Sequence, residues 1–241
     1  MDNKTIFYTK DLEIRFGGLY ALQKINFDIM ENETLGLIGP NGSGKTTFFN
    51  IITGLYLPTD GDFFFLGDSM RGKEPHEISK KGISRTYQSS RLCLNLSLLD
   101  NILIGMYPRQ QAGYFTALFK PKKMLTEVKE FTEKAIELLR VFNPELIDKV
   151  FKPVGELPQI DRRRVEICRA MAVEPRIILL DEPSAGMTPD ETQELMDDIK
   201  KVRSNMKDVS IMIIEHDMSV ISSVSERVIA INFGKEMTRG S

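Results

Sequence analysis

The chain has 241 residues, 27% of them charged, and a formal net charge of −2. That balance excludes a global basic field for nucleic acid. No apolar run approaches the ~18 residues of a membrane-spanning helix, and Met1-Asp2-Asn3-Lys4 lacks the basic-then-apolar pattern of an export signal. Cys93 and Cys168 lie far apart without metal-type spacing, which points to free thiols in a reducing compartment. A cytoplasmic chain is expected, with any membrane role exerted through a partner.

Strands are expected at 5–9, 12–16 and 25–29, the second from the alternation of Leu12, Ile14 and Phe16 with Glu13 and Arg15. Gly17-Gly18 breaks the pattern. Leu35-Gly36-Leu37-Ile38 reads as a short buried strand and residues 47–53 as a helix. Pro58-Thr59-Asp60-Gly61 is a turn before a strand at 62–66. Between 83 and 156 the character is mostly helical: one helix starts at Leu98, and residues 124–141 carry Leu125, Val128, Phe131, Ala135, Leu138 and Leu139 close to helical spacing. A β-α-β rhythm returns with strands at 176–181, 210–214 and 228–232 and a helix at 190–202. Their unalternating Ile and Leu runs suit a parallel sheet covered on both faces. The reading is an α/β fold with a mostly parallel central sheet. It carries an N-terminal antiparallel β subdomain, a core over 1–82 and 173–241, and a helical subdomain over 83–172.

The chemistry is organised around Gly39-Pro40-Asn41-Gly42-Ser43-Gly44-Lys45-Thr46-Thr47, which fits G-x-x-x-x-G-K-[ST] between a strand and a helix. Such a loop wraps backbone N–H groups around nucleotide phosphates, and its glycines permit positive φ and close approach. The helix N-terminus adds partial positive charge. Lys45 is expected to neutralise the β- and γ-phosphates and Thr46 to set its hydroxyl on Mg²⁺. Asp181, ending an apolar strand in Leu179-Leu180-Asp181-Glu182-Pro183, suits a metal-side acid, and Glu182 suits the general base for an attacking water. His216 also follows a buried strand, so it emerges at the same sheet edge, within reach of the γ-phosphate and Glu182.

Together these residues resemble the ATPase domain of ABC transporters, a P-loop NTPase fold, over nearly the whole chain. Walker A is at 39–47, Walker B at 177–181 with catalytic Glu182, and the switch histidine is His216. The resemblance implies that Gln88, in Ser84-Arg85-Thr86-Tyr87-Gln88, ligates Mg²⁺ and senses a transmembrane subunit. It also implies that Phe16 stacks on adenine, although a core strand position is the alternative there. Ser184-Ala185-Gly186-Met187 falls at the loop that crosses the dimer interface. Residues 15–19, 185–189 and the insertion Gly113 to Lys120 resemble more narrowly the ATPase subunits of branched-chain amino acid importers. That implies transmembrane permease subunits, an extracytoplasmic solute-binding protein, ATP and Mg²⁺ as cofactors, and a location on the cytoplasmic face of the cell membrane. The insertion, with Lys120, Lys122 and Lys123 after it, suits either a contact with permease or lipid headgroups, or a packed helix with a solvated basic end. The family continues past its last strand into a further helix, which is expected beyond Ser241.

The pattern breaks where the family has Leu-Ser-Gly-Gly-Gln. Here the chain reads Leu157-Pro158-Gln159-Ile160-Asp161. By resemblance this segment caps the γ-phosphate of ATP held by the opposite subunit. Pro158 offers neither hydroxyl nor N–H, Gln159 and Ile160 are expected to crowd the approach, and Asp161 to bring negative charge toward the phosphate. Gln159 or Arg162 is placed to recover part of the loss. Each lost hydrogen bond to a charged group costs ~1.5–3 kcal/mol. The expected partner is therefore a second ABC ATPase subunit with an intact signature, which confines the defect to one of two composite sites. The competing readings are a soluble ABC ATPase and a nucleotide-binding scaffold with little turnover.

Overall fold

The computed structural model describes residues 4–88, 91–110, 119–206 and 208–240. Two sheets meet around one short helix. The first is antiparallel: β1 (Thr5–Phe16), β2 (Leu19–Ile25), β3 (Asp28–Met30), β5 (Asp60–Phe65) and β6 (Asp68–Ser69), in the order β2-β1-β5-β6 with β3 also on β1. The expected strands at 5–9 and 12–16 are one strand. Asp11, at φ +46°, lies in the register shift between Lys10 and Glu13 where β1 pairs with β5, and Asn26 Oδ1 accepts its backbone N–H at 2.7 Å. β2 was not anticipated, because Leu19-Tyr20-Ala21-Leu22-Gln23-Lys24-Ile25 has no clean alternation.

The second sheet holds β4 (Thr34–Ile38), β7 (Ile83–Arg85), β8 (Ile177–Asp181), β9 (Ser210–Ile214), β10 (Arg227–Asn232) and β11 (Lys235–Gly240), ordered β11-β10-β4-β9-β8-β7. All its pairings are parallel except β10 with β11. The strand at 228–232 therefore does not close the sheet: β11 does, as a polar edge strand held by main-chain bonds. β7 lies in this sheet too, so the residues just past 82 belong to it before the chain turns helical.

Every residue of β8 and β9 is buried. Ile178, Leu180, Ile211 and Ile213 face one core. Ile177, Leu179, Met212 and Ile214 face the other. This is the two-sided burial that the unalternating apolar runs require.

The second core includes Phe48 and Phe49 of α1 (Lys45–Ile52), so the helix leaving the phosphate loop is sandwiched between the sheets. Phe48 packs edge-on against Phe7 (centroids 6.3 Å apart) and tilted against Phe27 (4.5 Å). The next helix, α2 (Pro75–Lys81), covers the second core with Ile78. The first core is built with α3 (Leu98–Met106), α4 (Pro121–Phe142), α5 (Gln159–Met171), α6 (Pro189–Asn205) and α7 (Met218–Val224). In α4 the expected apolar stripe is covered only in its second half. Ala135, Leu138 and Leu139 are buried and Phe131 is partly buried, whereas Leu125 and Val128 are exposed. Of the insertion preceding it, residues 113–118 lie outside the described residues; Phe119 is exposed.

Because Phe48 ties α1 to both Phe7 and Phe27, Phe48→Ala should cost ~3–5 kcal/mol of stability, the range for truncating a buried aromatic. Urea unfolding of the two proteins measures it; a loss well under ~1 kcal/mol would show that the sheets do not depend on this contact.

Candidate functional site

β4, β8 and β9 are neighbours and parallel, so their C-terminal ends deliver the phosphate loop, Asp181-Glu182 and Glu215-His216 to one edge of the sheet. Ligand sites of open α/β sheets form at that edge. The loop's backbone requires glycine at two places. At Gly39 a Cβ would lie 2.0 Å from the Ile231 carbonyl oxygen. At Gly44, which has φ +112°, it would lie 2.6 Å from that of Ala21. The Ser43 carbonyl accepts the Gly234 N–H at 2.9 Å, so the β10–β11 turn braces the loop from behind. No side chain caps α1 and no acidic residue sits in its first turn. Its N-terminus is thus left as a positive end for an anion.

Lys45 is buried, its Nζ donating to the Gly39 carbonyl at 2.7 Å and the Pro40 carbonyl at 3.1 Å. Burial holds its pKa below the ordinary lysine value, partly offset by the charges of Glu182 and Asp181. Thr46 and Asn41 are exposed, Thr47 is half-buried, and the Ser43 hydroxyl is buried without a hydrogen-bond partner. Phe16 is 50% exposed at the end of β1, edge-on to Tyr56 at 5.5 Å. It is not a core residue, which removes the alternative left open for it.

Gln88, Glu182 and His216, far apart in sequence, meet. Gln88 Nε2 donates to Glu182 Oε2 at 2.7 Å, and His216 Nε2 lies 2.7 Å from Glu182 Oε1. Glu182 has φ +47°, a left-handed conformation that a non-glycine residue adopts at a cost. Its N–H is held by the Ile214 carbonyl at 3.0 Å. The carboxylate is therefore fixed by both neighbours, and its side chain is 12% exposed. Asp181 is buried, with Oδ2 paired to Arg85 at 2.6 Å and Oδ1 without a partner.

Mg²⁺ fits these donors. An open buried carboxylate oxygen and an exposed threonine hydroxyl at the head of α1 are hard oxygen ligands. Among the described residues no group of three or more His, Cys, Asp or Glu could hold a metal.

Two functional side chains went unassigned from sequence, Arg85 and Glu215. For Glu215 the signal was a charge directly after the apolar strand β9; β7, Ile83-Ser84-Arg85, gave none for Arg85. Glu215 is buried and accepts the Ser184 N–H at 2.8 Å, anchoring the 184–187 turn.

The Leu157–Asp161 segment departs from expectation. Ile160 and Asp161 are buried rather than presented outward. Asp161 is neutralised by Arg164 at 3.0 Å and Lys149 at 3.5 Å, so its charge is spent inside the chain. Arg164 in turn binds Asp198 and Glu194 of α6, each at 2.6 Å. Only Pro158 and Gln159 face outward, and Gln159 Nε2 donates to the Ala185 carbonyl at 2.9 Å. Arg162 Nε donates to the Leu157 carbonyl at 2.8 Å. Both candidates for recovering a phosphate contact are thus engaged with their own backbone.

A glycine-lined phosphate loop, a strand-end acid and a clamped glutamate on this sheet define a P-loop ATPase of the ATP-binding cassette kind. Residues 22–185 match the ABC transporter family, and the chain belongs to it as an ABC-type transport ATPase. It is 36% identical over 239 residues to the high-affinity branched-chain amino acid transport ATP-binding protein BraF of Pseudomonas aeruginosa, covering 99% of this chain and 92% of that one. To LivG of Escherichia coli, described in the same words, it is 35% identical over 230 residues, covering 95% and 89%. Among solved structures, a nucleotide-free cassette of an ABC transporter superposes with TM-score 0.83 at 28% identity, covering 98% of this chain and 91% of that one. The ADP conformation of the cassette MJ1267 gives 0.84 at 27%, with the same coverage.

Burial pushes the Glu215 carboxyl above its ordinary pKa, and the neighbouring charge of Glu182 adds to this, against the Ser184 hydrogen bonds. As pH rises through the ordinary glutamate range, the unfolded chain releases this proton more readily than the folded group does, so this group's stabilising contribution declines. Glu215→Gln has no proton to lose. Its stability relative to wild type should therefore rise between pH 4 and pH 7, about the glutamate range, in urea titrations at each pH. A pH-independent difference would contradict the shift.

Proposed function

We propose that the chain hydrolyses Mg·ATP to power import of branched-chain amino acids or similar small polar solutes. It acts on the cytoplasmic face of the membrane through permease subunits, supplied by an extracytoplasmic solute-binding protein. The observation that carries the hydrolytic part is the Glu182 carboxylate clamped between Gln88 and His216 beside the phosphate loop. A water between Glu182 and the γ-phosphorus would lose its proton to that carboxylate as its oxygen bonds phosphorus and the bond to the ADP oxygen breaks. Lys45 and the head of α1 take up charge on the phosphate oxygens. Thr46, Asp181 and Gln88 would hold Mg²⁺, which when bound neutralises β- and γ-phosphate charge. Phe16 offers its exposed ring to adenine.

A groove of about 380 Å³ lies beside this machinery, lined by Arg85, Tyr87, Arg91, Ile104 and Arg169 among others. It adjoins the segment that carries Gln88, which suits a permease contact that senses the γ-phosphate side. No helix among the described residues is long and apolar enough to cross a membrane. The substrate class rests on the names of relatives at 35–36% identity.

We further infer an asymmetric pair. This chain's own loop, acids and histidine would face an intact signature from a second ABC ATPase subunit. The reverse site, capped by Pro158 and Gln159, would turn over slowly. The same two residues favour the second reading, a nucleotide-binding subunit with little turnover.

Glu182→Gln should leave ATP binding intact and lower turnover by about 10²–10⁴-fold, the range for losing a general base. Turnover at the wild-type rate would reassign the base. Replacing Pro158 with Ser and Gln159 with Gly, while keeping the buried Asp161–Arg164 pair, should raise ATPase activity of the assembled transporter. No gain would remove the asymmetry.

A further inference from the structure

Arg85 ends β7 with its side chain 4% exposed. Its Nη2 donates to Asp181 Oδ2 at 2.6 Å and its Nη1 to Asn50 Oδ1 at 2.7 Å. The guanidinium lies near the rings of Phe49 and Tyr87, 5.3 and 5.1 Å from their centroids. Asn50 and Phe49 belong to α1, about one turn beyond Thr46. Tyr87 immediately precedes Gln88. One planar group therefore joins the strand bearing Asp181, the helix leaving the phosphate loop and the segment leading to Gln88. The Asp181 carboxylate has one oxygen tied by this fork and the other, Oδ1, buried without a partner. The charge-assisted bond to Oδ2 restrains rotation of the carboxylate and so favours one direction for the lone pairs of Oδ1.

We propose that Arg85 is a positioning residue for the divalent cation. It holds Asp181 so that Oδ1 is the oxygen presented to the metal, and it sets that oxygen's distance from Thr46 by bracing β8 against α1. This rests on reading Asp181 as the metal-side acid. The shape of the guanidinium matters here as much as its charge. A lysine ammonium is a point charge on a flexible stem and cannot span Asp181 and Asn50 as the two-pronged guanidinium does.

The test uses Mn²⁺ as probe, titrated into the full chain with saturating ADP and followed by loss of the free-ion electron paramagnetic resonance signal. Binding of a fluorescent ADP analogue in EDTA reports the loop without metal. Arg85→Lys should weaken Mn²⁺ binding by about 10-fold or more, the size expected when a group orienting a metal ligand is altered, and leave metal-free ADP binding unchanged. A merely structural role would lower both together, and that result, or wild-type Mn²⁺ affinity, overturns the proposal. Asp181→Asn checks the underlying reading. If it binds Mn²⁺ as wild type does, Asp181 is not the metal-side acid and the proposal falls with it. If it weakens binding and Arg85→Lys does not, only the role of Arg85 falls. Should Arg85→Lys fail to fold, Asn50→Ala decides, since it frees one prong and leaves the ion pair. It should also weaken Mn²⁺ binding selectively, and wild-type affinity there overturns the proposal.

Discussion

Everything at the site depends on how closely the backbone between β4 and α1 approaches its neighbours. Gly39 sits against the carbonyl of Ile231 and Gly44 against that of Ala21, with no room for a Cβ at either place. That contact lets the antiparallel sheet and the β10–β11 turn brace the loop from two sides while α1 stays buried by Phe48 and Phe49. A rigid, uncapped helix head results, and rigidity is what makes backbone N–H groups effective toward phosphate, because they need no reorganisation when charge arrives.

Around that loop, charges are tied off in pairs, with chosen atoms left open. Asp181 gives one oxygen to Arg85 and keeps one. Glu182 is clamped at both oxygens, by Gln88 and by His216, so its direction is set by groups on two separate segments. Glu215 stands behind the 184–187 turn as a buried anchor. On the far side, Asp161 is neutralised inside the chain by Arg164 and Lys149, and Arg164 carries the linkage on to α6. The Leu157–Asp161 segment is therefore an internally satisfied helix start, not a source of negative charge at the surface.

The phosphate loop was legible because its chemistry is contiguous: the glycines, Lys45 and Thr46 occupy one stretch between a strand and a helix. Asp181, Glu182 and His216 were legible because each follows an apolar strand, and parallel strands bring such residues to one edge. What stayed hidden was long-range. Arg85 finds its acid 96 residues away, and nothing local says which of several arginines does so. Asp161 is neutralised inside the chain because Arg164 and Lys149 pair with it and Asp198 holds Arg164 in turn, which no spacing announces. β11 was missed for a different reason. Lys235-Glu236-Met237-Thr238-Arg239-Gly240 is polar and is held by main-chain bonds to β10, leaving no side-chain pattern to read.

In the proposed asymmetric pair, this chain builds the phosphate cradle and the metal-side acids and another subunit supplies the cap over the γ-phosphate. Single-turnover hydrolysis of radiolabelled ATP by the purified chain, alone and then with a cassette subunit bearing an intact signature, tests this most directly. Tight ATP binding with almost no phosphate release alone, and rapid release once the partner is added, is the expected result. Brisk, cooperative turnover by the chain alone would contradict it.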